Sequence, residues 1–293
     1  MKKKIALVAL AAAAVGAQAA EWSDTSIGIA HGNKFAEPYE GNNISKNIIN
    51  LTHASGYKYG TNFFNVDMLM SGSHGDDPAY ASSTGNSSTG AQEVYVIYRN
   101  TLDFGKVAGK SYASQGIRGY GLTTGFDFNT KSDSGNNSKK QMLVAGPTIM
   151  LDVPGFLNVS LLGLFESNSS FGYSSFNAGN SGYAGTERYH YKPHAALSTS
   201  WDIPLTIGFP FAFEGVANFI AAKGDDATGT PTKAETFIDL RAMYDISGVV
   251  GATPKTFKVG AEYQYWKNKF GVDSSSNPGA FAKTPMIRAE YHF

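Results

Sequence analysis

Two residue patterns in this chain could carry chemistry. The first is His53-x-Ser55. Alternate residues of a strand share a face, so the imidazole could serve as base to the hydroxyl as nucleophile. No third group that would orient the histidine is evident at motif level, and the pair equally fits an ordinary strand position. The second pattern is broader: charged and aromatic side chains recur at every other position of apolar segments. Phe63 and Asp67 form one such set, and Glu93, Tyr95 and Arg99 another, the latter alternating with Val94, Val96 and Tyr98. Phe237, Asp239 and Arg241 alternate with Ile238, Leu240 and Ala242, while Glu262, Gln264 and Trp266 alternate with Ala261, Tyr263 and Tyr265. Flat rings can stack on a small solute, and ionisable neighbours can hydrogen-bond its edges.

Other signals for chemistry are thin. Gly72-Ser73-His74-Gly75-Asp76-Asp77 and Gly224-Asp225-Asp226 offer oxygen ligands for a cation, as any solvated acidic loop does. His190 and His194 lie ~13 Å apart on an extended strand, too far to share a metal. There is no cysteine, which removes thiol catalysis and cysteine-based zinc sites. No phosphate-binding or dinucleotide glycine motif occurs. No cofactor and no metal are expected, and the chain reads as a non-enzyme.

Twelve period-two segments would have to position these side chains. They fall near 25–31, 46–57, 59–70, 92–102, 116–130, 140–152, 155–166, 190–202, 211–222, 235–246, 256–268 and 285–293. Their connections alternate in character. Tyr57-Lys58-Tyr59-Gly60, Val153-Pro154-Gly155-Phe156 and 203–210 are compact, whereas 71–91, 131–139, 167–189, 223–234 and 269–284 are rich in Gly, Ser, Asn and Asp. The 102–115 and 247–255 connections are longer than a tight rim requires. Alternating apolar and polar faces with loops sorted by parity predict an all-β fold: a twelve-stranded antiparallel transmembrane β-barrel with short periplasmic turns and long extracellular loops. The last strand, Ile287 to Phe293, has Ile, Ala, Tyr and Phe on one face and Arg, Glu and His on the other. Such an aromatic terminus would meet outer-membrane lipids and the barrel-assembly machinery.

The front of the chain sets the compartment. Lys2 to Lys4, the apolar run Ile5 to Val15 and the small-x-small site Ala17-Gln18-Ala19 read as a signal peptide over 1–19, leaving 20–293 as the barrel. No later segment approaches the ~20 apolar residues of a membrane helix. Removing the three signal lysines from the 24 Lys and Arg leaves 21 against 24 Asp and Glu, a mildly acidic balance that argues against nucleic-acid binding. The 16 Tyr and 19 Phe suit interfacial girdles. The inward faces mix both charge signs, so simple cation or anion selectivity is not expected.

Leu51 to Asp67, with aromatic residues on both sides of the Tyr57–Gly60 turn, and Glu93 to Arg99 resemble segments of the Tsx/OmpK family of nucleoside-specific outer-membrane channels. So does the aromatic C-terminal strand. The match is good over about the first hundred mature residues and rests on strand layout beyond them. The resemblance implies a monomeric twelve-stranded barrel with nucleosides or similar small solutes as partners, and a phage-receptor role for the outer loops. It carries Phe63, Asp67, Glu93 and Arg99 over as solute-binding positions, while Tyr95, Asp239, Arg241 and Trp266 rest on face assignment. The expected function is facilitated diffusion of such solutes, with a structural or receptor barrel as the alternative.

Overall fold

A computed structural model of the chain describes residues 20–72, 77, 90–132, 138–169, 188–206 and 208–293. The expected signal peptide lies outside the described residues, as does most of the 71–91 and 167–189 connections.

The strands are β1 (Trp22–Phe35), β2 (Ile44–Tyr57), β3 (Gly60–Ser71), β4 (Gln92–Asp103), β5 (Ile117–Lys131), β6 (Gln141–Leu151), β7 (Phe156–Asn168), β8 (Tyr189–His190), β9 (His194–Thr206), β10 (Pro210–Ile220), β11 (Glu235–Asp245), β12 (Phe257–Lys267) and β13 (Phe281–His292). Each long strand pairs antiparallel with its chain neighbours, and β1 closes on β13 through Gly28↔Glu290 and Ala30↔Arg288. The result is a closed twelve-stranded barrel, with β8 a two-residue addition on the end of β7. Closure leaves no unpaired edge, which is what allows strands to cross lipid.

The expected elements are all present, with three shifts. The strand expected over 190–202 is β9, His194–Thr206, with Tyr189–His190 paired separately on β7. β1 runs longer at both ends than the alternation suggests. β13 begins at Phe281 rather than near Pro285, because Pro285 continues the ladder opposite Tyr263. Pro147 has the opposite effect: the β6–β7 pairing skips from Ala145↔Gly163 to Thr148↔Ser160, where a residue without an N–H cannot donate.

The outer wall is apolar. Ile29, Leu143, Leu161, Phe165 and Ile287 each leave more than half of their surface uncovered. At the short-turn rim the ring pairs Phe211–Tyr244, Phe257–Tyr291 and Tyr291–Phe293 form an aromatic girdle. Both described ends of the chain reach this rim. The longer 104–116 connection folds as α1 (Phe104–Ala108), with Asp103 capping its first turn. No helix among the described residues is long and apolar enough to cross a membrane. The protein is a closed β-barrel with an apolar outer wall, and its inner face is where sequence-specific chemistry can sit.

Candidate functional site: the barrel lumen

Directly opposed residues of neighbouring strands share a face, so the ladder register assigns every side chain. Asn50↔Asp67↔Tyr95↔Asn129 and Ala54↔Phe63↔Arg99 run along the inner wall. Arg241↔Glu262 and Asp239↔Gln264 run along it on the far side. All eight sequence-predicted site residues therefore face the lumen. Their partners divide them into three groups.

On the wall of β4 and β5, Arg99 donates to Asp127 at 2.5 Å and to the carbonyls of Tyr98 and Phe126. The Tyr95 hydroxyl donates to the other Asp127 oxygen at 3.0 Å and receives Lys140 at 3.2 Å. Gly125 suits this packing, because a Cβ there would run into the Tyr98 carbonyl and come within 3.0 Å of Arg99 Cδ. Phe63, on β3 beside Arg99, is 39% exposed, and no aromatic ring among the described residues packs on it.

The wall of β11 to β13 carries a denser ladder. Arg288 donates to Glu262 and Glu290, both at 2.7 Å. Arg241 meets Asp239 at 3.1 Å and Glu262 at 3.4 Å. Asp67 projects from β3 within electrostatic reach of Arg288 and Arg241. In the ring order β4–β5 and β11–β13 stand on opposite walls, so the lumen is flanked by two paired-charge ladders. Between them, β4 to β7 contribute small polar groups: Thr101, Thr123, Thr148 and Ser160 form a chain of hydroxyl contacts at 2.6–2.8 Å.

The third group lies nearer the long-loop rim. Trp266 donates to Glu235 at 2.6 Å, meets Phe237 and Phe270 edge to face, and has the Lys269 ammonium 4.6 Å from its ring centroid. It is already partnered on several sides, unlike Phe63. Glu93 accepts from Asn129 at 2.6 Å.

Sequence reading missed a buried charge cluster at the mouth of this lumen. Glu37, in the β1–β2 connection, is buried and reaches Lys46 on β2 (2.6 Å), Lys131 on β5 (3.5 Å) and Lys269 in the β12–β13 connection (3.0 Å). Lys131 and Lys269 belong to opposite walls, so the 36–43 segment folds across the extracellular end. Asp77 joins through Lys46 at 3.3 Å and Lys131 at 2.8 Å. Burial opposes ionisation of Glu37, but Lys269, Lys46 and Lys131 outweigh it and hold its carboxyl well below the usual range. Inward parity could have found Lys46, Lys131 and Asp127. Nothing periodic marks Glu37, Asp77 or Lys269.

The other candidate chemistries find little support. The His53 ring nitrogen Nδ1 bonds Thr25 Oγ1 at 2.8 Å, and the register puts His53 and Ser55 on the lipid-facing side. Asp226 spends one oxygen on Thr228 and Thr230 of its own loop. Residues 73–76 lie outside the described residues. No group of three potential ligands that could hold a metal occurs among the described residues.

No family model matches the chain, and no curated protein does. Among solved structures it is similar to a KdgM porin at 10% identity, covering 92% of this chain and 99% of that one with a TM-score of 0.40. It is also similar to the translocator domain of the autotransporter NalP from Neisseria meningitidis, at 12% identity, 100% and 96% coverage and a TM-score of 0.46. The outer membrane protein opdK from Pseudomonas aeruginosa gives 9% identity, 94% and 100% coverage and a TM-score of 0.35. At such identities and superpositions none of these proteins lends this chain a substrate or a partner.

Proposed function

We propose that the protein is an outer-membrane channel for facilitated diffusion of nucleosides or similar small solutes. The observation that carries this reading is the uncovered Phe63 ring beside Arg99, facing a lumen lined by two opposed ladders of paired charges. A base stacks on the ring, while Arg99, Asp67 and the ladder of Asp239 and Arg241 hydrogen-bond its edge and sugar. Base stacking on an aromatic side chain is worth about 1–3 kcal/mol, enough to select yet weak enough to release. Tyr95, Glu93 and Trp266 position neighbours in this scheme, since their polar atoms are already bonded.

Single-channel current in a planar bilayer, with nucleosides titrated against a sugar control, tests the reading. Saturable block by nucleosides alone supports it; an open pore blocked by neither overturns the solute assignment. A second reading has its own observation. The buried Glu37 cluster across the mouth suits a receptor-type barrel with an occluded lumen, acting on phage or other partners through its outer loops. That reading predicts no conductance, and loss of partner binding when an outer loop is deleted.

A further inference from the structure

The outer wall of β4 to β6 carries a cleft of about 270 Å³ at the long-loop rim. Val94, Val96 and Phe128 lie on the lipid-facing side and make its apolar floor, and Gln141 stands at its edge. Lys139 and Arg188 supply two cations above that floor. Neither has a carboxylate within ion-pair distance among the described residues.

Arg188 is held in place. Its Nη1 donates to the Lys139 carbonyl at 3.0 Å and to Ser167 Oγ at 3.1 Å. The Lys139 backbone N–H is in turn fixed by Asn168 Oδ1 at 2.8 Å. Both Arg188 bonds use one nitrogen, so the rest of the planar fork is left for an acceptor outside the described residues. A guanidinium fork matches phosphate geometry. The height matters equally: the cations stand at the loop rim and the apolar floor runs below them, which is the order of headgroup and acyl chain in a leaflet.

We infer that this cleft binds an anionic, phosphorylated and acylated lipid of the outer leaflet. Its phosphate lies between Lys139 and Arg188, and an acyl chain lies along Val94, Val96 and Phe128. A free anion would have no use for the floor, and an uncharged lipid none for the two cations.

The test is native mass spectrometry of the full barrel in neutral detergent, titrated with bisphosphorylated lipid A. Phosphatidylcholine of matched chain length and inorganic phosphate serve as controls. Wild type should hold lipid A in preference to phosphatidylcholine, and R188Q/K139Q should weaken that binding at least tenfold. K233Q, on another outer loop where Lys233 pairs with Asp273, should leave it unchanged. Heat-modifiable mobility on gels confirms that each variant is folded, and R188Q alone provides a milder second variant. Unaltered binding in both Arg188 variants would overturn the inference. Equal loss in K233Q would do the same by pointing to diffuse charge. Full displacement of lipid A by inorganic phosphate would reduce the site to an anion site and overturn the lipid assignment.

Discussion

Replacing Glu37 with Gln should unlatch the 36–43 segment from the mouth of the barrel. The carboxylate is about 5% exposed and bonds three lysines from three parts of the wall. Glutamine keeps the size and removes the charge, which leaves Asp77 as the nearest anion for Lys46 and Lys131; Glu93 stands 3.9 Å from Lys46. Breaking a buried pair by removing one partner costs about 3–5 kcal/mol. Further ties of the segment include the Tyr39 N–H to Asn277 Oδ1 at 3.1 Å and Lys269 to the Ala36 carbonyl at 3.0 Å, each worth roughly 1–2 kcal/mol net. A loss of about 3 kcal/mol corresponds to roughly a hundredfold shift in a latch equilibrium. The rest of the barrel keeps its ladders, so the response is local. In planar bilayers E37Q should show a larger or more frequently open single-channel conductance than wild type. The pH dependence has a definite sign. Because the Glu37 carboxyl titrates well below its ordinary 4.5, the latch is fully present above that value and is lost only as pH falls through the lower folded one. The difference in open probability between E37Q and wild type should therefore be unchanged between pH 7 and 5. Identical conductance and open probability in E37Q and wild type would refute the latch.

Three further outcomes follow from the same geometry. Phe63→Ala should weaken nucleoside block about tenfold, the equivalent of roughly 1.4 kcal/mol of stacking, while the barrel remains heat-modifiable; wild-type block in that variant would remove Phe63 from the site. Arg288→Met leaves Glu262 and Glu290 without their shortest bonds and should destabilise the barrel by about 3–5 kcal/mol, read as a lower unfolding midpoint in detergent. R288M/E262Q/E290Q should recover part of that loss. Ser55→Ala should leave ester hydrolysis by purified protein at the wild-type level, since His53 is bonded to Thr25; abolished turnover would instead establish a catalytic pair.

Much of the wall was legible in the sequence because a strand repeats every two residues. Once Ile238, Leu240 and Ala242 were assigned to lipid, Phe237, Asp239 and Arg241 had to face inward, and the register agrees. Prolines blurred strand ends for a physical reason. Pro285 reads as a terminator, yet a closed sheet carries it because the ladder on either side holds the strand in place. The aromatic candidates were legible as a class and not as individuals. Phe63 and Trp266 both face the lumen, but Trp266 is enclosed by Phe237, Phe270 and Lys269 while Phe63 is left uncovered.

Which residues face lipid and which face the interior, and which rim carries the long connections, can be read along the chain. Those are properties of local period and loop composition. The pairings across the interior emerge with the closed fold: Arg99 with Asp127, Arg288 with Glu262, and Glu37 with lysines as distant in sequence as Lys269. These depend on closing β1 against β13 and folding a loop inward, which brings together groups that no local pattern relates. Charges that must leave water take whatever opposite partner closure places within reach, and that choice is made by the barrel as a whole.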